Sequence, residues 1–213
     1  HVVVRASTTC WRGRTDVAGW LIAFEGLDQS GKATQAAALR ARFVDVGRTV
    51  RSLSFPDYET AIGIEIAAAL RGERQHPPDV LQLLYVANRY EYRGQIEGWL
   101  RQGDIVICDR YQASSVAYGG AHGLDETWLA DIQRFLPRPH LTVLLDIDPT
   151  VGVARKRENR DNYESDLELL ARVRECYQRQ ARHAGWVIVD GRHDQEVVTQ
   201  DVARAVRSRL GLP

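Results

Sequence analysis

A chain of 213 residues with 28 Lys plus Arg against 28 Asp plus Glu carries no net charge. No global field therefore draws it to nucleic acid or to a membrane surface, and any basic site must be local. Length alone suggests one domain, with room for a small subdomain. No stretch approaches the ~20 apolar residues needed to cross a bilayer. The three cysteines, Cys10, Cys108 and Cys176, are scattered and odd in number, which argues against a disulfide framework or a metal spacing and makes a reducing cytoplasm the expected compartment.

Residues 1–19 carry Arg5, Arg12 and Arg14 with Asp16 as the single acid. They read as a poorly ordered N-terminal extension, native or appended, with an organellar transit peptide as the alternative. The domain proper is expected over 20–213. It opens with an aliphatic run at Leu21–Phe24, a loop spaced by Gly26 and Gly31, and then Lys32 and Thr34 at the head of the helix former AAALRARF. Strand, glycine loop and helix together are the context in which a phosphate-binding loop has physical meaning. Backbone N–H groups converge on an anion there and the helix N-terminus adds partial positive charge. One residue departs from the pattern: Ala33 stands where Ser or Thr normally meets magnesium, and Thr34 follows one place late.

Gly47 ends the first helix, and Thr49–Phe55 reads as a second strand stopped by Pro56. Ala61–Arg71 is helical by composition, and a single long helix is expected from Asp79 to Leu100, closed at Gly103. The runs DIVICD (Asp104–Asp109), LTVLLDID (Leu141–Asp148) and WVIVD (Trp186–Asp190) have the continuous apolar character of strands buried on both faces. Five strands alternating with helices predict a doubly wound α/β fold with a parallel sheet. Ligands of such sheets bind beyond the carboxyl ends of the strands, where Glu25, Asp109, Asp146 and Asp190 stand.

Asp109 at a strand tip is suited to hold magnesium or its waters, and Arg110 beside it supplies a permanent cationic fork for phosphate. Tyr85, Arg89 and Arg93 recur every four residues, so on one helix they share a face that can stack a base and hydrogen-bond its edge, with Asn88 alongside. Asp148 is an expected N-cap with Pro149 at the first helical position. Beyond it Arg155, Lys156, Arg157 and Arg160 form a basic cluster. His76, His122, His140, His183 and His193 show no ligand spacing, and Cys108 reads as a packed residue.

The segments FEGLDQSGKATQ, FPDY, LLYVANRYEYR, DRYQASSVAYGG and LDIDP, in this order, resemble a thymidylate kinase. The likeness spans about Leu21 to Leu210. It implies the P-loop nucleoside monophosphate kinase fold: a five-stranded parallel sheet flanked by helices, with a small mobile lid at about 150–164. The implied activity is transfer of the γ-phosphoryl of ATP to dTMP, giving dTDP for dTTP synthesis, with Mg2+. Carried over by position, Gly26, Asp28, Gln29, Ser30, Gly31, Lys32, Ala33 and Thr34 would bind ATP. Asp28 would also reach the acceptor sugar, with Phe55, Pro56, Tyr85, Arg89, Arg110, Ser114, Tyr118 and Tyr163 around dTMP. Asp109 and Thr34 are the expected metal contacts.

Catalysis would fall to Lys32, Arg110 and Asp109, with Arg155 and Arg160 from the lid. Gln29 occupies a loop position where some family members carry a catalytic arginine, which makes lid arginines the substitute. A second departure is Asp57-Tyr58, where an arginine commonly follows the Phe-Pro pair; Arg93 is a candidate to assist Arg110 there. Glu65 and Glu164 are candidates to order the site through arginine pairs. The family is usually a homodimer joined through helices. The alternatives are a kinase of another nucleoside monophosphate and, because of Ala33, a nucleotide-binding protein with little transfer activity. A GTPase is disfavoured by the absence of an Asn-Lys-x-Asp motif.

Overall fold

Each expected apolar run becomes a strand: Ile105–Asp109 and Leu141–Asp146 are covered on both faces of one sheet, whereas Trp186–Asp190 lies at its edge and leaves Ile188 53% exposed, so that run is not buried on both faces as expected. The computed structural model describes residues 19–155, 166–182 and 185–212. Among them β1 (Trp20–Glu25), β2 (Val50–Ser54), β3 (Ile105–Asp109), β4 (Leu141–Asp146) and β5 (Trp186–Asp190) form a five-stranded sheet in the order β2-β3-β1-β4-β5. Every neighbouring pair is parallel. The reversal of strand order falls between β3 and β4 around β1, so the crevice for a ligand opens above the tip of β1.

The helices are α1 (Lys32–Asp45), α2 (Ala61–Leu70), α3 (Pro78–Glu91), α4 (Arg93–Arg101), α5 (Gln112–Ala121), α6 (Glu126–Asp131), α7 (Pro149–Arg155), α8 (Leu167–Gln180) and α9 (Gln195–Leu210). On β1, Ile22 and Phe24 pack with Leu39 and Phe43 of α1 and Val198, Val202 and Val206 of α9. Leu21 and Ala23 face the other way, with Val106 and Cys108 of β3, Phe55 and Ile96. A third cluster joins α5 to α8 through Ala113, Ala117, Val173 and Tyr177. The period-two direction of strand side chains thus divides each apolar run between two layers.

The single helix expected over Asp79–Leu100 is two helices, interrupted at Tyr92. The Tyr92 N–H bonds the carbonyl of Arg89 rather than continuing the α-helical ladder. Its ring packs edge-on against Phe55 and its hydroxyl donates to Asp57. Those tertiary contacts redirect the chain at a point where helix periodicity gives no warning. Asp148, as expected, accepts from the N–H of Thr150 at 3.0 Å at the start of α7. The lid region lies largely outside the described residues, as do Arg160, Tyr163, Glu164 and residues 1–18. No helix among the described residues is long and apolar enough to cross a membrane.

Ile107 is 1% exposed at the centre of the sheet. Ile107→Ala should lower the unfolding free energy by about 2–5 kcal/mol, read as a fall in urea midpoint at constant m-value.

Candidate active site

The loop after β1 is shaped by its glycines. Gly26 has φ +140°, and a Cβ there would stand 2.5 Å from the carbonyl oxygen of Leu145. Gly31, at φ +96°, is the N-cap of α1 and leaves the helix with no side-chain cap. The first-turn N–H groups consequently face the cleft without a side-chain acceptor, the arrangement that favours an anion. Lys32 is buried and its Nζ reaches back to the carbonyl of Leu27 at 2.8 Å. Burial, reinforced by the Arg110 cation, lowers its pKa to about 8 against the opposing pull of Asp28, Asp109 and Glu25.

Behind this loop, Glu25 is fully buried and accepts from four donors. They are the N–H groups of Tyr111 (2.9 Å) and Ser114 (3.3 Å), Ser114 Oγ (2.7 Å) and Tyr177 Oη (3.0 Å). A strand-tip carboxylate read as a possible participant in chemistry is instead the tie between β1, the start of α5 and α8.

Arg110 leaves β3 with φ +63°, a left-handed conformation uncommon for a side-chain-bearing residue, held by its N–H to the carbonyl of Phe24 at 2.9 Å. Its Nη2 donates to Asp28 Oδ1 at 2.6 Å, and its Nη1 to the carbonyl of Gly26 at 3.1 Å. The Tyr118 ring lies 5.3 Å from the guanidinium carbon. Burial alone would lower the arginine's pKa, but the Asp28 carboxylate outweighs it and raises it well above the usual value. The group is a fixed cation.

Two clefts meet at this pair. One is lined by Asp28, Gln29, Gly31, Lys32, Ala33, Thr34, Asp109 and Arg110, with a volume of about 340 Å³. Asp109 Oδ1 in its wall is buried and has no hydrogen-bond partner among the described residues. The other, about 120 Å³, is walled by Tyr85, Arg89, Ser114 and Tyr118, together with Tyr58, Leu70, Gln82 and Ser115. Asp28, Phe55, Pro56, Tyr58 and Arg110 line both. Lys32, Tyr85 and Arg110 therefore open onto one continuous crevice. Arg89 is buried, with Nη1 donating to Ser115 Oγ at 2.7 Å and Gln133 Oε1 at 3.3 Å.

Several expected residues stand elsewhere. Arg93 follows the break at Tyr92, pairs with Glu97 at 2.8 Å and lies over Phe135, outside both clefts. Asn88 secures the turn after β2, accepting from the N–H of Asp57 at 2.8 Å and donating to Thr60 Oγ1 at 2.9 Å. Glu65 of α2 has an arginine partner, Arg74 at 3.5 Å, and also pairs with His76 at 2.9 Å, but it lines neither cleft. Asp146 and Asp148 are engaged by Arg174, and Asp190 by Arg192. Arg155 lies over the loop and donates to the carbonyls of Gln29 (3.1 Å) and Gly191 (2.9 Å). Ser30 Oγ is buried without a partner among the described residues.

Tyr58, Leu70, Gln82, Ser115 and Tyr177 were not legible as site residues. Gln82 alone had a signal, since it precedes Tyr85 by three and Arg89 by seven and so shares their face of α3. Cys108 is buried, and burial pushes its thiol far up, as suits a packed residue. No cluster of His, Cys, Asp or Glu able to hold a metal by itself occurs among the described residues.

Residues 24–202 match the model of the thymidylate kinase family. A probable thymidylate kinase of Pyrobaculum calidifontis is 39% identical over 193 residues, covering 89% of this chain and 96% of its own. The thymidylate kinase of Plasmodium falciparum is 33% identical over 189 residues, with 88% and 90% covered. The solved structure of thymidylate kinase from Candida albicans superposes with a TM-score of 0.77 at 30% identity, covering 90% of this chain and 92% of that one.

Two measurements test this geometry. Affinity for inorganic triphosphate, followed by calorimetry, should fall as pH rises through about 8, because Lys32 loses its proton there; Lys32→Arg should remove the inflection. Glu25→Ala, which strands four donors, should cost about 3 kcal/mol or more in urea unfolding.

Proposed function

The chain belongs to the thymidylate kinase family, and from that premise we propose that it transfers the γ-phosphoryl of ATP to dTMP with the residues of this crevice. The observation that carries the assignment of residues is the shared wall. One arginine–aspartate pair borders both the phosphate loop and the cleft lined by Tyr85 and Arg89.

On this reading the loop amides and Lys32 hold the ATP phosphates. Tyr85 stacks on thymine, and Arg89 hydrogen-bonds the edge of the ring. Arg110 grips the acceptor phosphate, while Asp28 fixes Arg110 and keeps lone pairs for the acceptor sugar's hydroxyl. Phe55 and Pro56 close the acceptor side, and Tyr118 presses on the sugar from α5. Ser114, locked to Glu25, backs Arg110. A phosphate oxygen of dTMP forms the new bond to the γ-phosphorus as the bond to the β-phosphate oxygen breaks. That oxygen is already anionic at neutral pH, so the step needs no general base. In-line placement and cations at the equatorial oxygens supply the catalysis.

The partnerless Oδ1 of Asp109, beside Lys32 and Thr34, suits a hard cation, so Asp109 with Thr34 would hold Mg2+. When bound, the ion neutralises charge on the donor phosphates. Arg155 already reaches the loop from α7 and, with Arg160 beyond it, would bring lid cations to the transferring group. Tyr163 belongs to the same reading of the lid. The proposal extends to a homodimer, for which exposed Ile64 on α2 and Leu83 on α3 offer apolar surface.

The test mixes the protein with Mg-ATP and dTMP, CMP, AMP or GMP in turn and follows ADP. Rapid release with dTMP alone is expected; turnover with CMP or AMP instead would select a kinase of another monophosphate. Arg155→Ala and Arg160→Ala should each lower kcat far more than they change acceptor affinity. Unchanged rates for both would remove the lid arginines from catalysis.

A further inference from the structure

We propose that Gln82 determines specificity for the acceptor base by accepting the N3–H of thymine. The inference rests on the crevice being a dTMP site, as argued above, and adds a residue to which no role has been given.

Gln82 is 4% exposed and lines the acceptor cleft from α3, yet its Oε1 accepts no hydrogen bond from any described residue. Leaving a buried amide oxygen without a donor costs about 1–3 kcal/mol, so its retention at a cleft wall points to a ligand donor. A second vacancy lies seven residues on along the same helix. Arg89, 2% exposed, spends Nη1 on Ser115 and Gln133 but has no partner for Nε. Two residues of one helix face that line the cleft thus keep an unpartnered acceptor and an unpartnered donor, with Tyr85 between them.

A pyrimidine-2,4-dione edge is the complement of that pair. Thymine offers an acceptor at O4 beside a donor at N3–H. The other side-chain oxygens of the cleft with printed bonds already receive a proton donor: Ser115 Oγ accepts from Arg89, Ser114 Oγ accepts from Arg110 while donating to Glu25, and Asp28 accepts from Arg110. Gln82 Oε1, by contrast, is a buried oxygen of the cleft lining that receives no donor from any described residue, and we assign N3–H to it. Cytosine reverses both groups, with a donor amine at C4 and an acceptor at N3. The Gln82 amide can turn to meet that acceptor, but Arg89 has only donors and opposes the amine. Discrimination therefore belongs to the two residues jointly, and Gln82 is the one that reads N3.

The decisive comparison uses dTMP and its N3-methyl analogue, which keeps both ring carbonyls but has no N3–H, with the wild type and Gln82→Leu, whose apolar side chain can receive the methyl. The wild-type protein should favour dTMP by about tenfold or more in kcat/KM, mostly through KM. Gln82→Leu should treat the two acceptors alike, with KM for ATP and kcat on dTMP little changed. A merely structural role would slow both acceptors equally and leave the preference intact. A preference retained in Gln82→Leu would overturn the proposal. So would a wild-type protein indifferent to the N3-methyl group, a result that needs no variant to fold. Failure of the wild type to turn over dTMP at all would remove the underlying reading as well, and is told apart by the first assay.

Discussion

The site depends on one buried carboxylate. Glu25 ends β1, the strand at which the sheet order reverses, and the phosphate-binding loop begins at the next residue. A carboxyl group in the interior is tolerable only when hydrogen bonds replace its lost water. Glu25 finds them from two other elements: the start of α5 with its N-cap Tyr111, the residue after Arg110, and Tyr177 of α8. Meeting that single solvation demand draws three segments together. The phosphate loop, the strand-tip arginine and the helix following the lid region acquire a common reference point.

From that anchor the electrostatics of the crevice follow. Lys32 is buried and Arg110 half-buried, and they stand near enough for the arginine's charge to disfavour that of the lysine. The Asp28 carboxylate, bonded directly to Arg110, keeps the arginine ionised, whereas Lys32 shares only longer-range support and has its pKa drawn down. A polyphosphate entering the crevice supplies the anion that Lys32 lacks. The crevice thus holds one permanent cation and one whose charge burial has weakened.

The departures from the family pattern noted in the sequence have local solutions. Asp57 is held by Tyr92 and Asn88, so the turn after β2 is secured without an arginine. The Asp57 carboxylate, by accepting the Tyr92 hydroxyl proton, pushes that phenol up to about 12, which keeps it a neutral donor. Tyr58 then faces both clefts at the wall they share. Arg93 plays no part there, because the helix that would have aligned it with Arg89 breaks at Tyr92.

What the chain reveals on its own is what short-range physics demands. Continuous aliphatic runs such as LTVLLD must be buried on both faces, so a parallel sheet covered by helices could be read directly. A loop needing positive φ at Gly26 and Gly31 announces itself by its glycines, and Arg110 and Asp109 are marked by their place at the end of such a run. Tertiary structure alone decided the rest. Glu25 and Tyr177 meet across 152 positions, and nothing in the periodicity of α8 separates a tyrosine whose hydroxyl is needed from one that merely fills space. Gln82 shares a helix face with Tyr85 and Arg89, but only the folded chain buries its amide oxygen and provides no donor. Local sequence sets which surfaces must be hidden; which polar group faces which depends on how distant segments are packed, and only the assembled fold contains that information.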